Sequence, residues 1–301
     1  MKKKGHSVKE KGHSANGRKT TPFAVAWKAL LAVAVFGLAL GVIGCGKKSR
    51  SSSRSSARES SSSSSASEPS SSKSQVETKV CVLPGGVKLE MVHVEPGSFV
   101  MGDKDEEKRL ERITEGFWLG KFEVTQAQWE AVMGENPSDF KGADNPVETV
   151  SWDDCQEFLK KLNALPAVKE SGLVFRLPTE KEWEYACRAG SKGDYCKLAD
   201  GTETTERTLG EVAWYEDNSG DKTHLVGQKK PNAFGLYDMH GNVWEWCEDL
   251  YLAGRSDRVR RGGSWRCDSG NCQASFRNCN LPDYRYDFLG FRLAAFQDVN
   301  R

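Results

Sequence analysis

The residue types with chemistry in them concentrate near the C-terminal end of this sequence. Cys267 and Cys272 follow the string Arg261-Gly262-Gly263-Ser264-Trp265, so two thiols and a hydroxyl share one short stretch. A thiolate is a nucleophile and a soft metal ligand, and in an oxidising compartment thiols pair. Cys45, Cys81, Cys155, Cys187, Cys196, Cys247 and Cys279 complete the set. Leaving Cys45 aside, the rest admit roughly a hundred full pairings, so connectivity is not readable. No CxxC occurs and the histidines are scattered, which argues against a zinc site.

The same region carries a second kind of chemistry. Residues 266–288 read RCDSGNCQASFRNCNLPDYRYDF. Large aromatics and arginine anchor interfaces at low entropic cost. The candidate ligand-contacting residues are Trp265, Arg266, Cys267, Asp268, Asn271, Phe276, Cys279, Leu281, Tyr284, Tyr286, Asp287 and Phe288. Although 28% of the whole chain is charged, this stretch contains no Lys, Glu, Met or Trp. The formal net charge is +1, and no basic stripe with interleaved aromatics points to nucleic acid.

Such residues need rigid elements behind them. Residues 89–94 and 98–101 alternate as strands around the turn Glu95-Pro96-Gly97, and residues 117–122 form another. Thr125 caps a helix running to Met133. Ser151 with Asp154 begins a second, whose apolar face is Cys155, Phe158, Leu159 and Leu162. Thr179 with Glu182 is the capping box of a third, ended by Gly190. Beyond Gly190 glycines, aromatics and short apolar runs dominate, so the fold class is α+β with much irregular backbone.

Three segments differ in composition. The first 28 residues are basic, with Glu10 the single acid, and the apolar run 29–43 that follows is 15 residues long. A stable span needs about 20 residues, so this run suits a signal segment. It ends Gly44-Cys45-Gly46, which resembles a bacterial lipobox; residues 1–45 are then a lipoprotein signal with Cys45 as the lipidated residue. Residues 46–79, rich in serine, form a disordered tether. Residues 80–301 are the folded domain, free of internal repeats. These features place the protein outside the cytoplasm, at the outer cell surface, held to a membrane by its lipid.

Within that domain the ordered strings are Gly97-Ser98-Phe99-Val100-Met101-Gly102, Glu123-Val124-Thr125, Val150-Ser151-Trp152, Arg176-Leu177-Pro178-Thr179-Glu180, Gly235-Leu236-Tyr237-Asp238, Gly241-Asn242-Val243-Trp244-Glu245-Trp246, Arg261-Gly262-Gly263-Ser264-Trp265 and Gly290-Phe291-Arg292. Their order and spacing resemble the formylglycine-generating enzyme, or sulfatase-modifying-factor, family. The resemblance implies a C-type-lectin-like fold of small twisted sheets, a few helices and long packed loops. It also implies three sites. One is a calcium site at Asp238, Gly241, Val243 and Glu245, the middle two through carbonyls; a second calcium site expected within 212–223 has no matching ligands. Another is a copper(I) pair, Cys267 and Cys272, with Ser264 on the substrate side, which would make the chain an oxidase converting a sulfatase cysteine to formylglycine. The position after Gly290-Phe291-Arg292 is Leu293, where the oxidases carry cysteine.

The third is a binding face. Residues 266–288 resemble the variable region of proteins diversified by retroelements, in which an asparagine codon copied with errors at its adenines yields Arg, Cys, Asp, Phe, Leu or Tyr but never Lys, Glu, Met, Gln or Trp. Gln273 lies outside that set. The residues favour a lipoprotein that binds a protein or cell-surface ligand through this face, with calcium as a structural ion. The alternative is the copper-dependent oxidase.

Overall fold

The computed structural model describes residues 76–102 and 108–298. Cys45 and the signal segment lie outside these residues, as does most of the expected tether. In chain order the strands are β1 (Thr78–Val82), β2 (Lys88–Val94), β3 (Gly97–Met101), β4 (Arg109–Ile113), β5 (Phe117–Gly120), β6 (Leu173–Arg176), β7 (Ala213–Trp214), β8 (His240–Gly241), β9 (Trp244–Leu250), β10 (Arg258–Arg261), β11 (Arg277–Asn280), β12 (Leu289–Gly290) and β13 (Ala294–Gln297). The first strand thus begins two residues before the boundary expected at Val80.

Among the described residues one sheet has the order β1-β2-β5-β13-β6, antiparallel throughout. The last strand of the chain therefore lies between strands that precede it by more than a hundred residues. A second sheet has the order β11-β10-β9-β12, with β12 parallel to β9 and β11 at an edge. The strands expected on either side of Glu95-Pro96-Gly97 are present but do not pair with each other. β2 joins the first sheet, whereas β3 pairs with β4 in a separate ribbon.

The helices are α1 (Gln126–Met133), α2 (Trp152–Ala164), α3 (Pro166–Ser171) and α4 (Glu180–Arg188). The capping boxes at Ser151/Asp154 and Thr179/Glu182 form, and Thr125 is joined by Gln128 in a third. Each satisfies two of the amide donors that a helix start leaves open. α4 ends sooner than Gly190 suggests, because Ala189 takes the left-handed conformation, φ 47°, and its N–H donates to the Tyr185 carbonyl. No helix among the described residues is long and apolar enough to cross a membrane.

The core has two main parts. In one, Trp129 stacks on Phe158 at 5.2 Å and both meet the edge of Phe291. In the other, Trp183 of α4 packs with Leu119 and Met239. Two arginines lie inside without exposure, each paired: Arg261 with Glu184, and Arg292 with Glu245. Buried guanidinium groups hold several carbonyls and carboxylates at once, so they fix how separate loops meet.

Candidate functional site

The C-terminal region is built outward from Gly262 and Gly263. Both have positive φ, and a Cβ on Gly263 would stand 2.5 Å from the Cys272 sulfur. This tight turn delivers Ser264 and Trp265 to the base of the loop. Trp265 is 7% exposed, so it is a buried post and not part of the expected face. Its amide donates to Asn242 O, its indole N–H donates to Asp287 O at 3.1 Å, and its ring meets Phe140 edge-on. The large apolar ring costs less inside than in water.

The loop backbone is clamped along its length. Thr149 N–H donates to Tyr286 O, and Asp153 N–H donates to Pro282 O. Arg285 grips both oxygens of Asp154, at 2.6 and 2.7 Å, and Arg277 grips both oxygens of Glu180. On this frame the remaining expected residues reach the surface. Arg266, Asp268, Leu281, Tyr284 and Tyr286 are exposed, while Cys267, Asn271, Phe276, Cys279, Asp287 and Phe288 are half-buried. Tyr284 and Tyr286 lie 5.6 Å apart, Tyr286 stacks on Phe288 at 4.8 Å, and the Arg266 guanidinium covers Phe288 at 5.0 Å. Phe276 leans inward on Trp244. Asn271 gives its backbone and side-chain N–H to Asp268 Oδ1.

The two thiols flank Ser264. Cys267 Sγ is 3.2 Å from Ser264 Oγ, and the buried Cys272 sulfur packs against Gly263, the residue before Ser264. Burial pushes the Cys272 thiol far above its ordinary range. As a soft donor pair beside one serine, Cys267 and Cys272 fit copper(I) by ligand type. All eight described cysteines are free thiols, so the pairing that export permits is not made here.

The expected calcium set meets a different fate. Glu245 already accepts from Arg292 Nε and Nη2 and, at 2.6 Å, from the Trp183 indole. A cation there would have to compete with Arg292 for Glu245, whereas Asp238 Oδ1 is buried without a hydrogen-bond partner. Gly241 donates its N–H to Gly262 O. The Val243 N–H goes to Glu123, whose other oxygen accepts from Asn242 Nδ2. Glu123 is a member of this buried cluster that the sequence reading missed, although its string was noted. With Asp238 and Glu245 it makes three buried carboxylates around one guanidinium.

Burial pushes Asp238 up to about 6, against the pull of the Gly227 N–H and Arg292. Burial, then the charges of Asp238 and Glu245, likewise push Glu123 well up. An unfolded Asp titrates near 3.8, so the folded chain holds this proton more tightly. The resulting stabilisation is complete below about 4 and gone above about 6. Urea midpoints of the wild type should therefore fall, relative to Asp238→Asn, as pH rises through that window. Parallel pH profiles for the two proteins would refute this assignment.

Comparison with known proteins bears on this arrangement. Residues 83–296 match the family described as sulfatase-modifying factor enzyme 1-like domain. The chain is 32% identical over 236 residues to the chaperone protein LppX of Paenibacillus barcinonensis, covering 62% of this chain and 82% of that protein. It is 32% identical over 233 residues to the formylglycine-generating enzyme of Thermomonospora curvata, covering 67% and 69% respectively. It spans about half, 51%, of the length of the mouse formylglycine-generating enzyme. Treponema denticola variable protein 1 superposes with a TM-score of 0.64 at 32% identity, covering 72% of this chain and 98% of that one.

Proposed function

The chain belongs to the sulfatase-modifying factor enzyme 1-like family, with its C-type-lectin-like fold, and from there we propose that it is a lipoprotein, anchored through Cys45, that binds ligands by a diversified C-terminal face. One observation carries this reading. Of the twelve expected face positions five are exposed and six half-buried, with Trp265 buried and Phe276 turned inward, on a backbone held by Trp265, Arg277, Arg285 and α2. Side chains on so fixed a frame can change without changing the frame. The likeness to a variable protein and to a chaperone supports a partner-binding role. The partner is a protein or cell-surface ligand, met by the ladder Arg266, Phe288, Tyr286 and Tyr284.

Two measurements test this. Sequencing the gene across a cell population should find variation confined to adenine-bearing codons of the face, next to a near-repeat and a reverse transcriptase gene. An invariant face, or changes scattered over the framework, would overturn the reading. In the protein, the triple change Arg266→Ser, Tyr284→Ser, Tyr286→Ser should alter unfolding free energy by no more than about 1 kcal/mol, since exposed substitutions usually cost little. Trp265→Ala should cost about 3–5 kcal/mol, the range for emptying a buried aromatic site. Similar losses from both would mean that the face is structural.

A second reading rests on the thiols beside Ser264. Copper(I) bound there would supply oxygen activation for the oxidation of a substrate cysteine. Cys267 and Cys272 would hold the metal; Ser264, expected on the substrate side, is fully buried with its hydroxyl on Cys267, so it would position that thiol and not meet the peptide. Copper(I) titration and turnover of a Cys-x-Pro-x-Arg peptide by wild type and Cys267→Ser decide it; identical null results in both remove this reading.

A further inference from the structure

Beneath the ladder lies a cleft of about 270 Å³ lined by Trp244, Arg260, Arg266, Asn278 and Phe288, with Glu216 and Asp268 on its rim. Its floor is Arg260, on β10 opposite Asn278 of β11. The guanidinium carbon lies 4.6 Å from the centre of the Trp244 ring and 5.7 Å from that of Phe288. Unlike Arg261 and Arg292, this arginine has no carboxylate. Its Nε and Nη1 are buried with no hydrogen-bond partner, and no acid among the described residues comes within 4.0 Å of it. Burial works against its charge, and the groups whose ionised forms would support it, Cys267, Cys279 and Tyr286, are all weak acids. Asp268, the nearby candidate, spends Oδ1 on Asn271.

A buried donor without an acceptor costs about 1–3 kcal/mol, more when charged. An incoming acceptor recovers that cost. Guanidinium presents a planar fork matched to a carboxylate, and the rings on either side suit a short apolar stem. Glu216 and Asp268 would repel a doubly charged group more than a singly charged one.

We propose that the Arg260 cleft is the anchor pocket of the face, taking one carboxylate on an apolar stem, from either an acidic side chain of a protein partner or a free small acid. This rests on the ligand-binding reading and deepens it. Arg260 and Trp244 stand outside 266–288, so they would form a constant floor under a changing rim.

The test uses the full chain labelled with ¹⁵N-arginine and ¹⁵N-asparagine. The Arg260 Nε–H resonance is assigned by its loss in Arg260→Met, and the Asn278 amide across the strand pair reports binding in the variants. Titration with phenylacetate should move both signals, whereas phenylacetamide, the neutral isostere, should move neither. Arg260→Lys should weaken phenylacetate about tenfold, because the fork is lost, and it serves if the methionine variant does not fold. An end-blocked glutamate peptide that also moves Arg260 assigns the pocket to a protein side chain; response to phenylacetate alone assigns it to a free acid. No response, an equal response to phenylacetamide, or tighter binding of inorganic phosphate would overturn the proposal. An unvarying face with a responding Arg260 would sink the diversified reading and keep the pocket; a varying face with a silent Arg260 would do the reverse.

Discussion

Arg292→Met should destabilise the protein by about 3–5 kcal/mol, a large part of the total stability of an ordinary domain. The side chain is fully buried and donates to both oxygens of Glu245, to Gly120 O and to Tyr237 O. Methionine fills much of the volume but leaves two carbonyls without those donors. It also removes the buried cation facing Glu123, Asp238 and Glu245. The carboxylates can escape part of the penalty by taking protons, so the variant should gain more stability on acidification from pH 8 to pH 5 than the wild type does. Urea unfolding at the two pH values measures both effects. A variant within about 1 kcal/mol of the wild type would show that the cluster is held together by something other than this arginine.

Gly241→Ala should be nearly as damaging. Gly241 has φ +76°, and an added Cβ would meet Trp214 O at 2.1 Å and Trp214 C at 2.8 Å, both backbone atoms that cannot swing aside. The left-handed backbone costs a branched centre about 1–2 kcal/mol and overpacking costs about 1–3 more. The same Trp214 carbonyl accepts the Asn242 N–H, so moving it disturbs the residue that holds Glu123, His224 and Trp265. Alanine keeps the Gly241 carbonyl, which was the expected calcium ligand. Thermal unfolding of the variant should therefore give a low midpoint that calcium chloride raises no more than it raises that of the wild type. A midpoint equal to that of the wild type would mean that the Trp214 strand has room to shift.

What could be read from the chain was what is local. The two capping boxes at Ser151/Asp154 and Thr179/Glu182 join residues three apart and make the bonds that their spacing suggests, and Thr125 gains Gln128 at the same spacing. The same local signal was present for α3, where Pro166 opens the helix at the position that proline favours, but it went unread. The α+β class followed from local alternation and helix caps, whereas the C-type-lectin-like fold followed from the order of the strings. Strand order was invisible, because β13 reaches its neighbours across distances in sequence that no pattern reports. The buried cluster was only partly visible for the same reason: Asp238 and Glu245 stand close in sequence, but Glu123 and Arg292 join them from distant segments. Trp265 was misplaced since a tryptophan can serve as an anchor or a post, and composition does not say which. Arg260 left one trace, the run Arg258-Val259-Arg260-Arg261, in which alternation on a strand sends neighbouring arginines to opposite faces.

The position of β13 has a consequence for how such a protein is made. The strand that closes the first sheet between β5 and β6 is encoded downstream of the loop at 266–288. A mutation that introduces a stop codon or shifts the reading frame in that loop also deletes the closing strand. The product lacks the middle of its own sheet and stays open to proteolysis. A chain that completes the first sheet has therefore been translated intact through the loop, so the strand order itself selects against products broken there.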